Sequence, residues 1–286
     1  MRRIGLSEIH EQPWFPKFLR DDVTDGLQFT LNFGRVYQPA ALCLRKALKA
    51  AGTDRLVDLC SGAGGPWSWL YRLVENEDTG KLEVCLTDKY PNLASFERLH
   101  QASGGRIGYC AEPVDAANIP GQLRGFRTLF TSFHHFSPDE AAAIIQNAVD
   151  TRQGIAIFEA PRRRTLSILM TVLMPLSALL MGPFIRPFRL SRVIWTYLLP
   201  VIPFVLWVDG ILSCLRAYSF AELSELIRNL KSNDYKWEIG ERLGLLAPIT
   251  YLLGYPENRA NSLAFESAGE GPGSPIPRNR RKRGAT

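Results

Sequence analysis

Arg55 Leu56 Val57 Asp58 Leu59 Cys60 Ser61 Gly62 Ala63 Gly64 Gly65 is a short apolar run that ends in a glycine-rich turn. A helix follows from Pro66 to Glu75, with Trp67, Leu70 and Val74 at helical spacing. Small residues let the backbone turn sharply and approach a ligand closely, and the helix beyond presents free N–H groups. The glycines do not fall at the G-x-G-x-x-G spacing of a dinucleotide site, which disfavours an NAD-dependent reductase, and the G-K-[ST] of a phosphate loop is missing. An acid, Asp58, precedes the turn instead, and an acid is electrostatically suited to a cationic ligand.

Outward from this stretch the pattern of strand, turn and helix repeats. Strands are predicted at Leu82 to Thr87, Arg106 to Cys110 with a possible extension to Val114, Phe126 to Ser132, and Gly154 to Glu159. Helices are predicted at Leu93 to Ala102 and at Pro138 to Val149, the latter capped by Ser137. A helix at Ser219 to Leu230 and strands at Tyr235 to Arg242 and Pro248 to Tyr255 close the series. This alternation predicts an α/β, three-layer Rossmann-like fold with a mostly parallel seven-stranded sheet and an inserted apolar helical cap.

Two further acids fall at predicted strand ends. Asp88 follows the second strand, where its carboxylate can accept hydrogen bonds from both hydroxyls of a ribose. Asp115, beside Ala116, is placed at the end of the third strand, within reach of an adenine amino group. The carboxyl ends of successive strands are where open α/β sheets bind ligands.

With these residues in view, the sequence resembles the class I S-adenosylmethionine-dependent methyltransferase family over Leu42 to Pro161 and Tyr218 to Pro256. The family motif reads D-x-G-x-G-x-G; here Cys60 stands at the first glycine, and Gly62 and Gly64 match the others. The resemblance implies S-adenosylmethionine as cofactor, a sulfonium and ammonium ligand without phosphate. It implies that Asp58, Cys60, Ser61, Gly62, Gly64 and Gly65 surround the methionine part, that Asp88 binds the ribose, and that Asp115 and Ala116 bind the adenine, with Ser132 nearby. By analogy an N-terminal helical lid over residues 1–51 carries Arg20 and Tyr37.

Methyl transfer needs an aligned nucleophile and, for a hydroxyl, removal of a proton. Thr131 Ser132 Phe133 His134 His135 Phe136 follows the fourth strand, so His135 and His134 are candidate bases. Glu159, ending the fifth strand, is a third candidate, with pairing to Arg162 to Arg164 as its structural alternative. The Asn/Asp-Pro-Pro motif of DNA and glutamine methylation is missing, so O-methylation is expected over N- or C-methylation.

Between 162 and 217 the alternation is interrupted. Leu166 to Ile185 contains twenty residues without a charge, and Val193 to Val208 another sixteen. The first is long enough to span a bilayer. Of seven arginines in this insertion, against one acid, Asp209, three sit at the entrance (Arg162 to Arg164) and three at the turn (Arg186, Arg189 and Arg192), so a two-span hairpin would be positive on both sides. An interfacial hairpin through 166–215, with arginines near lipid phosphates and Trp195, Tyr197 and Trp207 at headgroup depth, competes with a lid or homodimer interface. The expected acceptor is therefore a small lipophilic or membrane-resident molecule. A non-catalytic, membrane-associated binding protein is the alternative function.

Formal net charge is +6, but the insertion and the tail carry the excess, leaving a mildly acidic body and no nucleic-acid groove. The five cysteines are scattered without a C-x-x-C, which indicates neither disulfides nor a metal site. No apolar run opens the chain, and a cytoplasmic, membrane-associated protein is expected. The expected units are 1–51, a methyltransferase domain over 52–161 and 218–260, the insertion 162–217, and a disordered basic tail over 261–286.

Overall fold

The strands arise where apolar residues run in short blocks, and all of them join one sheet. The structure, a computed structural model, describes residues 1–76, 80–231, 234–245 and 247–257. The tail expected at 261–286 lies outside them.

The strands are β1 (Arg55–Leu59), β2 (Glu83–Leu86), β3 (Ile107–Tyr109), β4 (Phe126–Phe130), β5 (Ile155–Glu159), β6 (Tyr235–Leu243) and β7 (Pro248–Pro256). Their order is β3-β2-β1-β4-β5-β7-β6. The first five are parallel, and β7 runs antiparallel to both β5 and β6. All of β4 and β5 is buried, as expected of parallel strands covered on both faces.

The helices are α1 (Lys17–Phe33), α2 (Ala40–Ala51), α3 (Trp67–Val74), α4 (Leu93–Ala102), α5 (Pro138–Asp150), α6 (Thr165–Met170), α7 (Leu173–Met181), α8 (Leu190–Val193), α9 (Val201–Arg216) and α10 (Phe220–Arg228). Ser137 and Ser219 each form a capping box, with Glu140 and Glu222, and so fix where α5 and α10 begin.

One apolar core lies on the face of the sheet covered by α2 and α3, and it includes Leu44, Leu48, Trp67 and Phe158. A second lies under α5 and α10. Helix α2 is therefore part of the central domain, and Tyr37, 1% exposed and packed edge-on to Phe130, is a core residue and not part of a lid. Helix α1 is the element that covers the cleft. Its Gln28 and Asn32 side chains donate to the Gly65 carbonyl at 3.2 and 3.1 Å.

The two apolar segments of the insertion are broken helices. Thr165–Phe184 has a mean hydropathy of 1.9 and is the one helix among the described residues with the length and composition to cross a membrane. The second segment bends by 75° between Leu190–Leu198 and Val201–Arg216. Helices α1, α7 and α9 share a small core of Phe15, Leu19, Val23, Ala178, Val205 and Leu206.

The expected placing of the arginines near lipid phosphates is corrected by their partners, which the domain supplies. Arg192 pairs with Asp25 at 2.6 Å and Asp22 at 3.2 Å, and Arg189 pairs with the same two acids. Arg162 and Arg164 pair with Glu241, Arg163 with Glu222, and Arg216 with Glu11. Arg186 alone of the seven has no ion pair among the described residues. These arginines fasten the insertion to the domain, a function that their crowding in sequence does not reveal.

Candidate active site

The carboxyl ends of β1, β2 and β4, together with α1 and residues 7–13, enclose a cavity of about 510 Å³. Cys60, Ser61, Gly62, Gly65, Asp88, Asp115, Ala116, Ser132, His134 and His135 all line it. Asp58, Gly64 and Glu159, also expected at the site, stand behind its wall.

The turn after β1 takes its shape from backbone that only small residues adopt easily. Gly62, Gly64 and Gly65 have φ of +56°, +105° and +51°, and Cys60 has +56°. The position where the family motif has its first glycine is thus left-handed, and Cys60 occupies it under strain. A Cβ on Gly64 would lie 2.1 Å from Leu99 Cδ1.

Asp58 is 1% exposed and fully engaged: Thr128 Oγ1 donates to it at 2.6 Å and Ser61 Oγ at 2.7 Å. Burial pushes its carboxyl up to about 6. Asp58 therefore organises the turn from behind instead of touching a ligand, which corrects its expected role.

Asp88 reaches the cavity directly. Its Oδ2 accepts from the Gly62 N–H at 2.7 Å and its Oδ1 from the Tyr90 N–H at 2.8 Å, which ties the β2 end to the glycine turn. Asp115 does not end a strand, because β3 stops at Tyr109. It sits in a later turn closed by Ala117 N–H donating to its Oδ1 at 2.9 Å, and Val114 N–H donates to the Asp88 carbonyl at 2.8 Å. Burial, followed by the charges of Asp88, Asp58 and Asp115, holds the Cys60 thiol well above its ordinary value. Three carboxylates thus stand near the turn.

On the opposite wall β4 ends at Phe130, two residues short of the expected Ser132, because Thr131 takes φ +47° and turns the chain out. Its Oγ1 is buried without a hydrogen-bond partner. Glu159, 7% exposed, accepts from the N–H groups of Ser132 and Phe133 at 3.0 and 2.8 Å and from His134 Nδ1 at 2.5 Å. Glu159 spends three of its acceptor positions on this turn and does not line the cavity, so it is placed to hold the turn and not to meet a substrate proton, and it is not the partner of Arg162 to Arg164 either. Glu159 anchors the turn.

His134, with 0% exposure, lies between Glu159 on Nδ1 and Glu8, whose Oε1 is 3.2 Å from Nε2. Burial pulls its pKa down, but Glu159 and then Glu8 outweigh burial and hold it at about 10. An imidazole protonated at neutral pH is not a general base. His135 remains, half-buried at the cavity wall, with its Nδ1 in close contact with Glu11 Oε1.

Glu8, His10 and Glu11 are functional-site residues that the sequence reading missed. They reach the cleft because helix α9 holds the N-terminal segment there. Asp209 accepts from Ile9 N–H at 2.7 Å and contacts His10 Nδ1 at 2.8 Å; Ser213 Oγ donates to Glu8 Oε1 at 2.8 Å; and Arg216 donates to Glu11 Oε2 at 2.6 Å. Arg20 closes the same wall, donating to the His10 and Gln12 carbonyls at 2.8 and 2.7 Å and lying 4.0 Å over the Tyr90 ring. Asp209, the lone acid between two apolar runs, was the one signal in sequence that α9 turns a polar edge inward.

The fold of this chain is similar to that of solved structures. PigF with SAH is 15% identical with a TM-score of 0.50, and the alignment covers 86% of this chain and 62% of PigF. The chain has the Rossmann-like methyltransferase fold. An O-methyltransferase family protein from Burkholderia thailandensis is 16% identical at a TM-score of 0.49, over 82% of this chain and 60% of that one. A family 2 O-methyltransferase from Planctomyces limnophilus, in complex with apigenin, is 14% identical at 0.48, over 84% of this chain and 62% of that one. This chain thus spans about three-fifths of the length of these structures. No family model and no curated protein matches the sequence.

Proposed function

We propose that the chain is an S-adenosylmethionine-dependent O-methyltransferase acting on a small lipophilic acceptor. The observation that carries this reading is the cleft at the ends of β1 and β2, where a glycine turn and the carboxylates of Asp88 and Asp115 form a negative, phosphate-free cradle. A cavity of about 510 Å³ suits a ligand of this size. The unpartnered Thr131 Oγ1 offers a further polar contact there. The glycine turn, Asp88 and Asp115 would hold S-adenosylmethionine here, and it would supply the methyl group for an acceptor oxygen.

The chain's own residues do the rest. Asp88 and the Gly62 N–H fix the ribose side, α1 covers the ligand through its bonds to Gly65, and the acceptor enters against the wall of histidines and carboxylates. Proton removal falls to that cluster, in which His135 is the member that meets the cavity partly exposed. An imidazole oriented by a carboxylate on one nitrogen is the arrangement that handles a hydroxyl proton near neutrality.

The lipophilic acceptor, and contact with a membrane surface, are supported by the outer face of the insertion. Leu166, Leu169, Leu173, Leu180, Phe184 and Phe188 are each more than half exposed, a density of apolar surface that marks an interaction site. Most of the charges around it are paired with acids of the domain, Arg186 excepted, so apolar burial would supply most of the attachment. The same face can join two copies, and sedimentation beside vesicle flotation separates these outcomes.

Comparison of extracts from cells with the wild-type chain and with Asp88→Ala, supplied with methyl-labelled methionine, tests the function. A lipophilic metabolite carrying the labelled methyl group only with the wild-type chain is expected. Identical labelled profiles would overturn the reading.

A further inference from the structure

Among the described residues two groups of ligand-type side chains converge, and they share Glu8: Glu8, His134 and His135, and Glu8, His10 and Asp209. The first group has a feature that a network of ion pairs does not need. Each of its imidazoles has Nδ1 occupied by a carboxylate, His134 by Glu159 and His135 by Glu11, and each turns Nε2 toward Glu8. His134 Nε2 is buried and has no hydrogen-bond partner, although a Glu8 oxygen lies 3.2 Å away. The distance from His135 Nε2 to the other Glu8 oxygen is 3.9 Å.

A carboxylate on Nδ1 with Nε2 directed at a common point is how metal-bound histidines are oriented. Donors about 2.1 Å from a tetrahedral ion stand about 3.4 Å from one another. The donor atoms here all lie within 4.8 Å of one another, so the three side chains reach that spacing by closing on the ion by about an ångström, His135 together with Glu8 included. All three residues line the cavity, which leaves the remaining coordination position facing the acceptor. The absence of a metal-ligand spacing in sequence does not count against the site, because Glu8 reaches the two histidines only through α9.

We propose that Glu8, His134 and His135 bind one divalent transition-metal ion at the acceptor side of the cavity. Two imidazoles and a carboxylate favour zinc, manganese, iron or cobalt over magnesium, which prefers oxygen ligands. The inference rests on the O-methylation reading and deepens it. The acceptor hydroxyl binds the ion through oxygen, its pKa falls, and its proton leaves to solvent before the methyl group arrives. Binding displaces the Nε2 proton of His134, His135 serves as a ligand, and Glu159 and Glu11 position the two imidazoles.

Full-length protein stripped with chelator and dialysed against cobalt(II) or zinc(II) tests this by metal analysis and by the cobalt visible spectrum. One ion per chain is expected, not displaced by excess magnesium. Glu8→Gln and His135→Asn should lose retention, and Glu11→Gln should weaken it about tenfold or more, while His100→Asn, on α4, should leave it intact. Circular dichroism confirms that each variant is folded. Metal retained only in trace amount by the wild-type chain, or retained equally by folded His135→Asn, overturns the proposal. S-adenosylmethionine titrated into the stripped protein separates the two readings. Cofactor binding without metal retention leaves the methyltransferase with His135 as proton acceptor, and metal retention without cofactor binding overturns the methyltransferase reading alone.

Discussion

Gly64→Ala is the substitution whose effect follows most directly from the geometry of the cofactor turn. At φ +105° an L-residue is strained, at about 1–3 kcal/mol. The new Cβ would stand 2.1 Å from Leu99 Cδ1 and 3.3 Å from Gln28 Nε2, so α4 and α1 must both yield. Overpacking of this kind costs about 1–3 kcal/mol, and the combined loss is roughly 2–5 kcal/mol, since Leu99 can move in part. Gly52 is the internal control. It is left-handed at φ +64° but has nothing within 4 Å of its Cβ, so Gly52→Ala should cost only the backbone strain, about 1–2 kcal/mol. Urea denaturation gives both values. Displacement of Gln28 also weakens its bond to the Gly65 carbonyl, so affinity for S-adenosylmethionine should fall in Gly64→Ala and not in Gly52→Ala. Equal stability of the two variants, with unchanged affinity, would refute the close approach of α1 and α4 to the turn.

Three further outcomes are expected. Arg192→Met removes the nearest cation of the buried Asp25 and leaves Arg189 to pair with both Asp22 and Asp25, and a loss of about 1–3 kcal/mol should appear as faster proteolysis around 185–200. The Asp58 carboxyl, raised by burial from 3.8 to about 6, makes the folded state hold its proton at higher pH than the unfolded chain does. Its contribution is complete below about pH 4 and is lost as pH rises through about 6, a change of about 3 kcal/mol that Asp58→Asn should remove from the urea midpoint between those pH values. Leu180→Asp with Phe184→Asp should change stability by no more than about 0.5 kcal/mol each, because both side chains are exposed, and should abolish flotation with lipid vesicles. Undiminished flotation would remove the membrane contact.

The sheet was legible because its signal is local. Apolar blocks separated by capped helices predict each strand to within two residues, and Ser137 and the glycine turn mark helix starts by chemistry that involves only neighbours. Apart from Asp115, which lies in a turn beyond the end of β3, the failures at the site are long-range. Arg162 to Arg164 and Arg189 to Arg192 look like a surface cluster until Glu241, Glu222, Asp22 and Asp25 arrive from distant parts of the chain. Tyr37 looks like a lid residue until Phe130 packs against it. Asp58 has the right spacing for a ligand contact, yet Thr128, on the neighbouring strand, takes its carboxylate. Glu8 and Glu11 carry no local pattern at all, because their place is set by Asp209, Ser213 and Arg216 on α9. The insertion thus has two faces, an apolar one outward and a polar edge that assembles the acceptor side of the cavity.

Calorimetric titration of the full-length chain with S-adenosylmethionine tests the central claim most directly. One equivalent should bind, with affinity lowered by Asp88→Ala and by Gly64→Ala and unaffected by Gly52→Ala. Absence of binding to the folded wild-type chain, or binding that Asp88→Ala leaves unchanged, would contradict the placement of the cofactor at the ends of β1 and β2.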